Sequence, residues 1–183
     1  MNRFIVSTLT CFLAAGVVCA ADAVKSGLDL GEGTTAFNVR DITGPNKGKT
    51  LCYRCAYGAK PVTAIFTREI TPEVAALVKQ IDDKIVANQD KNACAFVVLL
   101  TDDADAGAKA LEKLAADQKI TKTPLTVFDG VAGPEKYKIA KDAAVTVMMW
   151  NKSRVAVNHA YPTAKLSDDQ LKTVTGDTSK ILN

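Results

Sequence analysis

Cys52-Tyr53-Arg54-Cys55 places two thiols three residues apart, a spacing that suits a disulfide or thiol–disulfide exchange. In extended chain, residues three apart lie about 10 Å from each other and point to opposite faces. A disulfide needs Cα atoms within about 7 Å, so bonding requires a turn or a single helical turn here. Pro61 leaves too little chain for a long helix, and a turn at the lip of an opening hairpin is expected. Between Ile42 and Thr67 the charged residues are Lys47, Lys49, Arg54, Lys60 and no acid at all. Such a positive field favours thiolate, and Tyr53 and Tyr57 add stackable surface beside the sulfurs. Cys52, Cys55 and Arg54 are therefore the candidate catalytic residues. By analogy with other paired motifs, where the first Cys is usually the more exposed, Cys52 is the expected attacking thiol. The alternative is a disulfide that only pins the loop, although so small a ring contributes only about 2 kcal/mol.

Other chemistries fail on residue identity. Zinc wants four ligands, and only Cys94 and His159 remain as further soft or imidazole partners. Covalent haem attachment needs His directly after the second Cys, where Ala56 stands. No metal or cofactor is expected. Gly44-Pro45-Asn46-Lys47-Gly48-Lys49-Thr50 is one residue short of a phosphate loop and precedes no long helix. Asp102, Asp103 and Asp105 lack the spaced ligands and distal Glu of a calcium loop and read as acids at a helix start. Cys94 opens an apolar strand and is expected to be a core thiol, His159 a surface side chain, and Trp150 a packing residue. Asn151-Lys152-Ser153 matches a glycosylation acceptor, which matters only in a host that glycosylates.

The compartment bears on the thiols. Arg3 followed by the apolar run Phe4 to Val18, then Cys19-Ala20-Ala21, has the three-part pattern of a secretory signal peptide. The run is about 15 residues, short of the ~20 that span a bilayer. Residues 1–20 are thus expected to be removed, taking Cys11 and Cys19 with them and leaving Cys52, Cys55 and Cys94 of the five Cys. An exported, periplasmic or secreted protein keeps close Cys pairs oxidised. The net charge of +3 falls by one with Arg3 and gives no case for nucleic acid or a membrane surface as the main partner.

Positioning these residues requires a core. The 183 residues, 48% hydrophobic and 23% charged, fit one domain plus an extension and exclude a disordered polymer. A mean hydropathy of +0.05 excludes a multi-span membrane protein. Residues 21–33 read as a flexible, glycine-bearing lead-in to a domain over 34–183. Ala36 to Ile42 alternates as a half-buried strand, and 43–48 is turn-rich. Pro61 to Phe66 is a buried strand; Thr71, Pro72 and Glu73 then open a helix carrying Val74, Leu77, Val78, Ile81 and Ile85 on one face. Cys94 to Leu100 is a strand covered on both faces. A helix over 105–117, a short strand over 125–128 and a short helical segment over 134–140 follow. Val145 to Trp150 and Arg154 to Val157 form a hairpin, and Ser167-Asp168-Asp169-Gln170, between Leu166 and Leu171, caps a last helix. The class is α/β, a central mixed sheet with helices on both faces.

From about residue 34 to 180 this order resembles the thioredoxin-like superfamily, in its peroxiredoxin and periplasmic thiol-reductase branch. Phe37-Asn38-Val39-Arg40-Asp41 with Gly44 resembles the branch's opening N-terminal hairpin. Val97 to Asp103 is similar to its second core strand, Lys119 to Leu125 to its inserted segment, and Tyr137-Lys138-Ile139 to the element before its third core strand. The resemblance implies a thioredoxin-like fold and protein thiols or disulfides as partners. It also implies a reactive Cys after the first core strand, where this chain has Phe66-Thr67-Arg68-Glu69-Ile70-Thr71-Pro72, and a cis-proline where it has Asp142-Ala143-Ala144. Peroxidase activity is accordingly not expected. Two functions follow: an exported thiol–disulfide oxidoreductase using Cys52 and Cys55, or a non-catalytic binding module in which the pair is a structural disulfide.

Overall fold

The computed structural model describes residues 24–182, and the segment 1–20 read as a signal peptide lies outside them. Its strands are β1 (Val39–Asp41), β2 (Thr50–Leu51), β3 (Val62–Thr67), β4 (Cys94–Thr101), β5 (Leu125–Asp129), β6 (Val145–Asn151) and β7 (Arg154–Tyr161). Helices α1 (Tyr53–Tyr57), α2 (Pro72–Ala87), α3 (Ala104–Gln118) and α4 (Asp168–Asp177) complete the frame. The sheet order is β2-β1-β5-β4-β3-β6-β7. The β3–β4 and β4–β5 pairs are parallel, and the remaining pairs are antiparallel. The mixed α/β sheet expected from the sequence is present.

Crossover handedness decides which face the helices take. The β3–α2–β4 and β4–α3–β5 units step in the same direction along the sheet, and right-handed connections put both helices on the same face. There α2, α3 and α4 cover Ile65, Val97, Leu99, Val147 and Met149. The opposite face presents Val62, Ala64, Phe66, Phe96, Val98, Leu100, Met148 and Trp150. It is covered by the short α1, by Leu28 of the lead-in, by Phe37 just before β1, and by a 3-10 turn at Glu135–Tyr137.

Local signals explain the helix starts. Thr71 Oγ1 accepts from Val74 N at 3.2 Å with Pro72 in the first turn, and Asp103 Oδ1 accepts from Ala106 N at 2.9 Å. Thus Asp103 is a helix cap, and Asp105 pairs with Arg40 at 3.2 Å. Ser167 and Gln170 form the expected capping box, with Leu166 and Leu171 both buried.

The lead-in departs from expectation. Instead of moving freely, residues 26–34 are fastened to the sheet: Leu28 is buried, Gly31 N donates to Val155 O at 2.7 Å, and Val155 N donates to Glu32 O at 3.0 Å. Asn158 Nδ2 donates to Ser26 O at 2.8 Å and Leu28 O at 2.9 Å. Glycines allow this close approach: Gly27 has φ +90°, and a Cβ there would meet the Asn158 amide at 2.8 Å. The first strand is shorter than its alternating pattern, the 134–140 segment shrinks to one 3-10 turn, and β7 runs on to Tyr161. No helix of the described residues is long and apolar enough to cross a membrane.

Candidate active site around Cys52 and Cys55

The chain leaves β2 at Leu51 and enters α1 at once. Cys52 is the N-cap of that helix, with φ −104° and ψ 100°, and Cys55 follows one turn later. Their Cα atoms are 5.2 Å apart and the sulfurs are bonded. The geometry is thus a single helical turn, where a turn at the hairpin lip was expected. Cys55 N donates to Cys52 Sγ at 3.0 Å.

Two tyrosines seat α1. Tyr53 and Tyr57, four residues apart, share a helix face and turn into the sheet, where both rings lie within 6.2 Å of Phe96. Tyr53 Oη donates to Asp41 Oδ2 at 2.6 Å, and Tyr57 Oη to Ala95 O at 3.3 Å. Burial, with the Asp41 carboxylate adding to it at Tyr53, pushes both phenols above their ordinary range and keeps them as neutral donors. With the tyrosines inward, Cys55 and Ala56 face solvent, while Cys52 is half-buried. Exposure therefore runs opposite to the expectation that Cys52 is the more exposed Cys.

Asp41 is fully buried and was not singled out in the sequence. Its carboxylate also accepts from Gly44 N at 2.7 Å and Asn46 N at 2.8 Å, tying the 43–48 turn to α1 through Tyr53. A Cβ on Gly44 would sit 2.5 Å from Tyr53 Oη, so only glycine fits. The readable signal was Asp41 three residues before Gly44, a side chain placed to cap the following turn.

The positive field is thinner than the sequence implies. Lys47 pairs with Glu112 at 2.8 Å, whereas Lys49, Arg54 and Lys60 have no carboxylate at ion-pair distance among the described residues. Arg54 Nε donates to Thr34 Oγ1 at 3.2 Å, which ties the guanidinium to the lead-in.

Arg68 follows β3 within the stretch 66–72 where the resemblance implies a Cys, and the helix start in that stretch is capped by Thr71. Arg68 Nε donates to Val131 O at 3.1 Å and its Nη1 to Ala143 O, while its backbone N donates to Ala144 O at 3.2 Å. The side chain thus bridges the two loops that would flank a reactive group at this end of the sheet.

Cys94 stands level with Val62, at the other end of β3 from Thr67. Five residues of strand separate the two levels, roughly 17 Å. It is only half-buried, less enclosed than a core thiol, and lies beside Tyr57, Lys60 and Lys122 in a shallow cavity of about 270 Å³. Burial pushes its thiol up and Lys60 opposes this, so Cys94 is held as thiol. His159 is likewise more engaged than a surface side chain: Nε2 lies 3.0 Å from Asp177 Oδ2. Trp150 is fully buried, as a packing residue should be. Among the described residues no three His, Cys, Asp or Glu side chains cluster to hold a metal.

No protein-family model matches the chain. No curated protein matches it in sequence. Solved structures do match in shape. The thioredoxin domain of a thiol-disulfide oxidoreductase from Bacteroides vulgatus superposes with a TM-score of 0.62 at 14% identity, covering 85% of this chain and 99% of that one. Peroxidoxin BcpB from Mycobacterium tuberculosis gives 0.59 at 15% identity over 84% and 97%. A yeast mitochondrial 1-Cys peroxiredoxin gives 0.57 at 13% identity over 80% and 75%. With its strand order, parallel crossovers and terminal hairpin and helix, the chain has the thioredoxin-like fold, and its Cys pair lies on α1, ahead of the first core strand.

Proposed function

We propose that this is an exported thiol–disulfide oxidoreductase whose working pair is Cys52 and Cys55. The observation that carries the reading is the bonded pair itself, held at one helical turn with Cys55 an exposed residue and an N–H aimed at Cys52 Sγ. A hydrogen bond to sulfur stabilises thiolate when the bond opens, which lowers the cost of reduction. Arg54, with Lys49 and Lys60 nearby in sequence, adds positive charge that has no carboxylate partner. The apolar segment Phe4 to Val18 supports an oxidising compartment, where such a pair is held ready as a disulfide. Protein thiols are the substrate class, as the fold neighbours suggest. Peroxide reduction is not proposed, since residues 66–72, where the fold would give a peroxidatic Cys at a helix start, hold no Cys, and Thr71 is the N-cap there.

The second reading is a thioredoxin-like binding module in which the disulfide only braces α1. The Tyr53–Asp41 bond and the paired tyrosines favour it, because they show that α1 is already built into the core. One experiment separates the two. Oxidised protein is mixed with a peptide carrying two thiols, and peptide oxidation is followed in a single turnover. The oxidoreductase reading predicts one peptide disulfide per protein, abolished in Cys52→Ser and in Cys55→Ser. Equal peptide oxidation by wild type and either variant, or none by wild type, would reject it.

A further inference from the structure

Resting on the oxidoreductase reading, we infer that substrate attacks Cys55 and that Cys52 is the sulfur expelled, so that the pair donates its disulfide to dithiol substrates. In paired-thiol sites the sulfur that forms the mixed disulfide must be reachable, and the sulfur that leaves must be stabilised as thiolate. On α1 these two requirements fall on different residues. Cys55 is exposed, on the helix face opposite the buried Tyr53 and the half-buried Tyr57, whereas Cys52 is half-buried at the junction with β2. The N–H of Cys55 donates to Cys52 Sγ at 3.0 Å. No N–H lies at hydrogen-bonding distance from Cys55 Sγ among the described residues. The first turn of α1 holds no acid that would oppose a developing negative charge at Cys52.

A substrate thiolate attacks Cys55 Sγ; the Cys52–Cys55 bond breaks, and its electron pair leaves on Cys52 as thiolate, accepting the Cys55 N–H. The substrate's second thiolate then attacks the substrate sulfur of the mixed disulfide and expels Cys55 as thiolate. The substrate loses two electrons and two thiol protons, and the pair gains the two electrons as two thiolates that solvent can protonate. Attack at Cys52 is disfavoured on both counts, because the nucleophile meets the less exposed Cys and the leaving Cys55 has no N–H to receive its charge. Accessibility and leaving-group stabilisation therefore point the same way only when the pair starts as a disulfide.

Sequence makes the test direct, since trypsin cuts after Arg54 and separates Cys52 from Cys55. The oxidised Cys94→Ser protein is exposed to an excess of a peptide carrying one thiol, quenched in acid, alkylated and digested. Mass spectrometry then reads which fragment bears the peptide and which bears the alkyl group. The expected result is peptide on the fragment beginning at Cys55 and alkyl on the Cys52 fragment, by at least about tenfold, the effect of one charge-assisted hydrogen bond on the leaving sulfur. A ratio near one, or peptide mainly on Cys52, overturns this assignment and leaves the oxidoreductase reading standing. Absence of adduct on both fragments, with the disulfide intact, overturns the oxidoreductase reading itself.

Discussion

Replacing Tyr53 by Phe removes a single oxygen from the support beneath the Cys pair, and its cost follows from the contacts. That oxygen donates to Asp41 Oδ2 at 2.6 Å, to a carboxylate that is fully buried. The ring stays in its place against Phe96 and Tyr57, so no cavity forms and the loss is the hydrogen bond alone. Bonds to a charged group contribute about 1.5–3 kcal/mol, and Asp41 keeps its two backbone N–H donors, which sets the expected loss near 2 kcal/mol. For a domain of this size that lowers Tm by about 4–8 °C. Urea unfolding should show a lower midpoint at unchanged slope, because compactness is not altered. A double-mutant cycle with Asp41→Asn isolates the pair, with a coupling of about 1–2 kcal/mol expected. A loss under about 0.5 kcal/mol, or additive effects in the cycle, would refute the claim that Asp41 and Tyr53 anchor α1.

Asp82 supplies a second test, with a pH dependence. It is buried on α2 and accepts from the backbone N–H groups of Thr121 at 2.9 Å, and of Lys122 and Thr123 at 2.8 Å. Burial pushes its carboxyl up, but these donors outweigh burial and hold it below the ordinary range. Its contribution is therefore present above the unfolded carboxylate pKa of about 4 and is lost as pH falls through the lower folded value. Asp82→Asn should lower Tm at neutral pH and flatten the loss of stability below about pH 4, as thermal scans across pH would show. An acid limb equal to that of wild type would count against this account. Arg68→Ala should cost about 1–3 kcal/mol by freeing the Val131 and Ala143 carbonyls, measured by urea unfolding. Thiol exchange at Cys55 should change by less than about twofold in that variant, since the two sites lie on different parts of the sheet; a larger change would couple them.

The parts of the fold that show in sequence are those governed by local rules. Buried strands such as 94–100, the Thr71-Pro72 start and the Ser167 capping box depend on neighbours in the chain, and each is found where periodicity and capping chemistry put it. The lead-in reads as flexible from its glycines alone, whereas their role is close approach to Asn158 and β7. At the site, the identity of the pair and the need for a helical or reverse turn were legible. Which Cys is the more exposed was not, because that depends on Tyr53 and Tyr57 both finding Phe96 on a strand some 40 residues away. The Tyr53 contact of Asp41 and the carbonyl contacts of Arg68 stay hidden in the sequence for the same reason. A lone acid and a lone arginine acquire meaning only from the carbonyls and N–H groups that folding brings to them.

The reduction potential of the Cys52–Cys55 pair, measured by equilibration of the purified protein against glutathione buffers, tests the central claim most directly. A redox-working pair should come to equilibrium in the range of catalytic dithiols, about −120 to −270 mV. A pair that stays fully oxidised below about −300 mV would be a structural brace and would contradict the account.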